Sequence, residues 1–169
     1  MVQQWPSVST SPKGRLALAA LGAFGTRAFD DVAVTDLADA AGVTTGAIYH
    51  HFGSKLALYS FVRADVERRL LDRMQGALAV SQRDDDSVER ALLVGFDFAV
   101  SEGFVSILGA PPPAAEQDRL VDLLGVALDS SILGKVVAAA WRAAVTVASD
   151  SSARDDARAA LQLLTLRNR

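Results

Sequence analysis

Residues 34–55, VTDLADAAGVTTGAIYHHFGSK, contain two short helical patterns that meet at Gly42. Leu37, Ala38 and Ala41 share one helical face before the glycine, and Ile48 and Phe52 share one after it. Gly42 can adopt positive φ and so end the first helix. Val43 then tucks an apolar side chain into the corner, and Thr44 is expected to cap the second helix through its hydroxyl. The spacing predicts helices over 34–41 and 45–51. That is the outline of a helix-turn-helix, with a second helix short enough to enter a DNA major groove.

The outward face of the second helix decides what such a unit would touch. Thr44, Thr45, Gly46, Tyr49 and His50 are expected to face outward, with Gly46 removing bulk where backbone must approach DNA. Thr45 and Ala47 offer a hydroxyl and a methyl to base edges, while Tyr49 and His50 can donate to phosphates. Thr35, one residue inside the preceding helix, can point its hydroxyl at a phosphate. Adjacent His50 and His51 do not make a metal site, because neighbours on a helix diverge whereas metal-binding pairs use i and i+4. Gly53 ends the helix and Ser54 caps the next. Lys55, beside the new N-terminal N–H groups, is the strongest phosphate-binding candidate.

Toward the N-terminus, Pro12 opens the pattern Leu16, Ala19, Ala20, Ala23, Phe24, which predicts a helix over 13–27. Lys13 and Arg15 lie in its first turn, where the macrodipole favours anions. They read equally as phosphate contacts and as scattered solvated cations. Residues 1–12 lack the basic and apolar regions of a signal peptide and read as a polar arm. Asp30 and Asp31 read as turn chemistry, not metal ligands. The helix over 34–41 has Asp36 but only Ala33 at its cap. This incomplete capping box costs roughly 1 kcal/mol.

Toward the C-terminus a long helix is predicted over 55–80, with Leu58, Phe61, Val62, Val66, Leu70, Met74 and Leu78 near one stripe. Arg63, Arg68, Arg69 and Arg73 among Asp65, Glu67 and Asp72 read as a solvated, ion-paired face. Residues 81–87 read as a connector whose Asp84-Asp85-Asp86 run lacks the glycine and distal glutamate of a calcium loop. Helices are expected over 88–101, 116–128, 132–148 and 152–166, the last capped by Ser151 or Ser152. An apolar piece holding Phe104, Ile107 and Leu108 lies between Gly103 and Pro111-Pro112-Pro113, where three prolines forbid helix. The helix over 132–148 is nearly apolar all round and must be buried on several sides.

Composition bounds the class of protein. The 169 residues include no cysteine, which excludes disulfides and thiolate metal sites and is compatible with a reducing cytoplasm. No apolar run reaches the length of a membrane span. Residues 1–83 carry nine Lys+Arg against seven Asp+Glu, a net +2; residues 84–169 carry eight against thirteen, a net −5. A mildly basic reader followed by an acidic body with another task fits this asymmetry. With only +2, phosphate binding must lean on neutral donors. Catalysis has little support: both histidines lie in the proposed recognition helix, and neither a Ser/His/acid arrangement nor a phosphate-cradling glycine loop occurs.

The register of Phe24, Phe29, Val34, Asp36-Leu37-Ala38, Ala41-Gly42-Val43, Gly46, Ile48-Tyr49, His51-Phe52 and Ser54-Lys55 resembles the N-terminal domain of the TetR family of bacterial transcriptional regulators. The resemblance covers about residues 14–64. It implies an all-α fold: an arm at 1–12, a three-helix DNA-binding domain at 13–54 and a helical ligand-binding and dimerisation domain at 55–169. Thr44, Gly46, Tyr49, His50 and Lys55 match family positions that touch DNA. The implied partners are double-stranded DNA, a second copy of the chain and a small effector, with no membrane, metal or cofactor and a cytoplasmic location. Leu70, Met74, Phe96, Val100, Phe104, Ile107, Leu124 and Trp141 are the expected pocket lining, hence an apolar effector. The last two helices are expected to pair as a four-helix bundle through Leu133, Val137, Ala140, Ala144, Leu161 and Leu164. A ligand-responsive repressor is the reading these features favour. The alternative is a helical interaction module of the same fold that has lost DNA binding, which the low charge of the reader would fit.

Overall fold

The computed structural model describes residues 10–80 and 86–165, and their regular structure is all helix, with no strand among them. Most of the expected arm and of the 81–87 connector lies outside the described residues. Helix α1 spans Pro12–Thr26. Ser11 caps it by accepting from the Gly14 N–H at 3.1 Å, with Pro12 at the first helical position, where its missing N–H costs nothing. Leu16, Ala17, Ala20 and Phe24 form its buried face. A single 3-10 turn at Phe29–Asp31 leads to α2, Val34–Ala41. Ala33 provides no side-chain cap there, as its chemistry requires.

Gly42 sits at φ 62°, ψ 43°, the left-handed conformation that a residue with a Cβ adopts only under strain. This reverses the chain into α3, Thr45–Phe52. Gly53, at φ 81°, closes α3, and the Ser54 hydroxyl accepts from the Ala57 N–H at 3.0 Å to start α4, Lys55–Val80. Twenty-six residues make α4 about 39 Å long. Its first turns pack under α1 and α3, and its remainder packs against α5, α6 and α7.

The body consists of α5, Ser87–Ser101; α6, Val105–Gly109; α7, Arg119–Ala127; α8, Ser131–Val147; and α9, Arg154–Thr165. Three expectations change here. The apolar piece around Ile107 is itself a short helix, ended before the extended backbone of 110–113 that its prolines impose. Helix α7 begins at Arg119, later than position 116, because the Asp118 carboxylate caps it by accepting from the Val121 N–H at 3.2 Å. Helix α9 is preceded by a 3-10 turn that Asp150, not a serine, caps by accepting from the Ser152 N–H.

One continuous apolar core runs from Leu16 in α1 through α4 to Leu161 in α9. Reader and body also touch directly at Gly25, where a Cβ would fall 2.6 Å from the Gly103 carbonyl oxygen. The largest departure from the sequence reading is Arg63. It is no part of a solvated face: at 1 % exposure it donates to the Tyr59 hydroxyl at 3.1 Å and to the Ile107 and Ala110 carbonyls. Those carbonyls close the C-terminal end of α6, where a cation complements the helix dipole. Asp65 does pair with Arg68 and Arg69 as expected, and Arg73 lies over the Phe98 ring.

Candidate nucleic-acid interface

Helices α2 and α3 are held against α1 and α4 by Leu37, Ala38, Ala41 and Ile48, all buried. The Arg15 guanidinium bolts this arrangement by donating from Nε to the Ala41 carbonyl at 2.8 Å and from Nη1 to the Thr10 carbonyl at 3.0 Å. Both bonds go to backbone carbonyls, so Arg15 is held in place and is not a loose cation. Lys13 lies over the Phe52 and Phe61 rings at 5.6 and 5.5 Å from their centroids. Arg27 reaches Asp36 at 3.2 Å across the turn that leads into α2. Exposed on both sides, that pair is worth about 0–1 kcal/mol.

Thr35, Thr44, Thr45, Gly46, Tyr49 and His50 are all exposed. Tyr49 keeps 55 % of its surface exposed, which leaves its ring and hydroxyl open to a partner. Ala47 is half-buried against the core, so its methyl faces solvent only partly. The expected hydroxyl cap at Thr44 is absent: its side chain makes no capping bond, and α3 starts through the backbone bond from the Ala47 N–H to the Thr44 carbonyl. The Thr44 hydroxyl is therefore not committed to the helix.

Lys55 is half-buried, its Nζ 4.1 Å from the centroid of Phe29. Phe29 in turn packs on Phe24 and Tyr59, so the ammonium is aimed by an aromatic cluster rooted in the core. Sequence reasoning named Lys55 but not the ring that its ammonium lies over. The His50 and His51 rings meet edge to face at 4.9 Å, and no group of three metal-ligating side chains occurs among the described residues.

In the body, Leu70, Met74, Phe96, Phe104, Ile107, Leu124 and Trp141 are buried and Val100 is half-buried. They are brought together as core. Trp141 donates from Nε1 to the Leu92 carbonyl at 3.0 Å, and a Cβ on Gly95 would meet Leu70 and Met74 at 3.0 Å. The described cavities are instead open clefts beside α7, and none is lined by these eight residues.

Helix α8 turns its exposed apolar face differently from the expected seam. Ile132 at 72 %, Val136 at 59 %, Ala139, Ala143 and Val147 are exposed, with Leu163 and Leu164 on α9. Leu133 lies at the margin of this face, while Val137, Ala140 and Ala144 are half-buried. Helix α9 packs on α5 and α8, which rotates the outer face by about one residue, or 100°, from the predicted stripe. Leu161, at 1 % exposure, belongs to the core and is unavailable to a partner.

No helix among the described residues is long and apolar enough to cross a membrane. Residues 17–60 match the family model described as bacterial regulatory proteins, tetR family. Similar proteins include the HTH-type transcriptional regulator CymR of Pseudomonas putida, 29 % identical over 54 % of this chain and 45 % of its own length. The HTH-type transcriptional activator FasR of Mycolicibacterium smegmatis is 31 % identical over 51 % of this chain and 39 % of its own. The repressor KstR2 of the same organism is 29 % identical over 57 % and 47 %. The aligned region therefore spans less than half of each of these relatives. The fold extends further: a TetR-family regulator structure from Shewanella sp. PV-4 superposes with a TM-score of 0.66 at 20 % identity, covering 92 % of this chain and 96 % of that one. The chain thus carries a helix-turn-helix segment, residues 17–60, that matches the tetR family of bacterial regulatory proteins, and its helical body shares the fold of a TetR-family neighbour.

Proposed function

We infer that the protein is a ligand-responsive transcriptional repressor that binds a palindromic operator as a homodimer and is released by a small effector. The observation that carries this reading is the exposed array of Thr35, Thr44, Thr45, Gly46, Tyr49 and His50 on a rigidly packed α2–α3 unit, flanked by the ring-oriented Lys55. Uncommitted hydroxyls, an open glycine and an aimed ammonium supply phosphate contacts and short-range base contacts without high net charge. One short helix reads only a few base pairs. Two copies placed about 34–36 Å apart, or at a related spacing, convert that weak reading into selective reading. The apolar face of α8 and α9 supports a second copy as the partner. An effector releases the DNA by binding the conformation in which reader spacing mismatches the operator.

Footprinting on the DNA flanking the chain's own gene tests the reading. A protected inverted repeat at low salt is expected; no protection at any site would favour an interaction module that has lost DNA binding. Raised expression of the flanking gene on deletion would support repression, and lowered expression would mean activation. Lys55→Ala is expected to weaken binding to all sequences alike. The salt dependence, log K against log salt, should become shallower by about 0.9 for each phosphate that is no longer neutralised. An unchanged slope would remove Lys55 from the interface.

A further inference from the structure

The chain has two histidines, and they are neighbours, His50 and His51, in the last turn of α3. That helix carries no lysine or arginine. His50 is exposed and His51 half-buried, and their rings meet edge to face at 4.9 Å. Among the described residues neither ring makes a hydrogen bond or an ion pair, which leaves their nitrogens to solvent or to a partner.

Helix α3 packs against α1, α2 and α4. In the reader those helices carry Lys13 and Arg15, Asp36 and Asp39, and Lys55 and the phenol Tyr59; α3 itself adds the phenol Tyr49. Lys13 lies over the Phe52 and Phe61 rings, Arg15 is bonded to the Ala41 carbonyl, Asp36 pairs with Arg27, and Lys55 lies over Phe29. No carboxylate is bonded to either imidazole. The last turn of a helix favours a cation through its macrodipole, and histidine is the side chain whose charge changes between about pH 5 and 8. The only groups on α3 that can carry a positive charge are therefore two that gain it with a proton.

We propose that His50 and His51 are phosphate contacts that take up protons as DNA binds, so that the reader's affinity rises as pH falls. A phosphate beside an imidazole favours the charged ring, which donates a charge-assisted hydrogen bond to it. The proton comes from solvent and returns there when DNA leaves. Both rings charged raise the net charge of residues 1–83 from +2 to +4. Two cations in contact repel, so without DNA the second proton binds less readily than the first; the phosphates of a duplex offset that repulsion. A reader with little fixed charge thus acquires charge at the interface. The proposal rests on the DNA-binding reading above and adds His51 to its contacts.

Fluorescence anisotropy of the full chain with labelled duplexes tiling the DNA that flanks its own gene, at fixed salt, tests it. From about pH 8 to pH 6 the affinity is expected to rise at least about tenfold, and the salt dependence to steepen by about 0.9 for each newly neutralised phosphate. His50→Gln with His51→Gln keeps an N–H donor at each position but cannot charge. This double variant is expected to bind, throughout that range, as the wild type does at its upper end. His50→Gln alone, at the exposed position, is expected to lose part of the rise. Lys55→Ala is expected to bind more weakly at every pH and keep the same rise, because its effect carries no proton. Circular dichroism checks that the helices persist at both pH values and in each variant. A flat wild-type profile, or a rise that survives in the double variant, would overturn the proposal. Binding with a flat profile sinks the proton link alone, whereas no binding at any pH sinks the DNA-binding reading with it.

Discussion

Replacing Ile132 and Val136 together by glutamate is expected to yield a folded monomer that no longer protects an operator. Both side chains are large apolar members of the exposed face of α8, in its first two turns, and two-fold symmetry would bury four of them in a dimer. Each is worth about 1.5–3 kcal/mol on burial, and the glutamates would add desolvated like charges. The dimer dissociation constant is then expected to rise by more than about a thousandfold. Sedimentation velocity checks the oligomeric state, and circular dichroism checks that the helices persist. A dimer that survives both substitutions would move the interface off this face. Glutamates at Ala140 and Ala144, the centre of the seam that periodicity alone picks out, should do less to assembly because those positions are half-buried within the protomer.

Asp118→Ala is expected to cause a large loss of stability for a single substitution. Asp118 holds Arg142 through two bonds of 2.8 Å and caps α7 at the Val121 N–H. Its removal leaves a guanidinium 9 % exposed without its hydrogen-bonded partner, which costs about 3 kcal/mol, the low end of the range for broken buried pairs because Asp118 itself retains some solvent contact and Glu67 lies within electrostatic reach of Arg142. The missing cap adds about 1 kcal/mol. Together they should lower Tm by about 10 °C in a chain of this size. Thermal melts at neutral pH check the figure, and a shift under about 2 °C would show that Arg142 finds another partner.

The same pair has a pH signature. Burial works against ionisation of Asp118, but the hydrogen bonds and charge of Arg142, the Val121 N–H and the charge of Arg63 outweigh it and hold the carboxyl below its ordinary 3.8. A depressed carboxyl stabilises the fold at any pH above that ordinary value. The contribution disappears as pH falls through the lower folded value, so the variant should lack this part of the wild-type acid limb.

The reader was legible because its determinants are local. A helical period on each side of Gly42, a glycine that must turn left-handed, and a serine two residues past α3 lie within twenty-two consecutive residues, and the fold reproduced each of them. Thr44 failed as a cap for a reason that is also local, since backbone geometry satisfied the helix start without its hydroxyl. In the body the errors share one cause. Arg63 and Glu67 look like surface charges along α4, and only the arrival of α6, α7 and α8 makes them interior. A weak signal existed: Arg63 and Glu67 each directly follow a core valine, Val62 and Val66, and so border the buried stripe.

The amino-acid sequence by itself determined that the chain is all helix, where the turn of its reader lies, and which side chains that reader presents, because helix periodicity and glycine stereochemistry act over a few residues. Tertiary structure alone decided which face of α8 stays open, that Leu161 is buried, and that Arg63, Glu67, Asp118 and Arg142 come within electrostatic reach of one another. Burial and charge pairing between helices tens of residues apart depend on how those helices cross, and no local pattern in the chain encodes that.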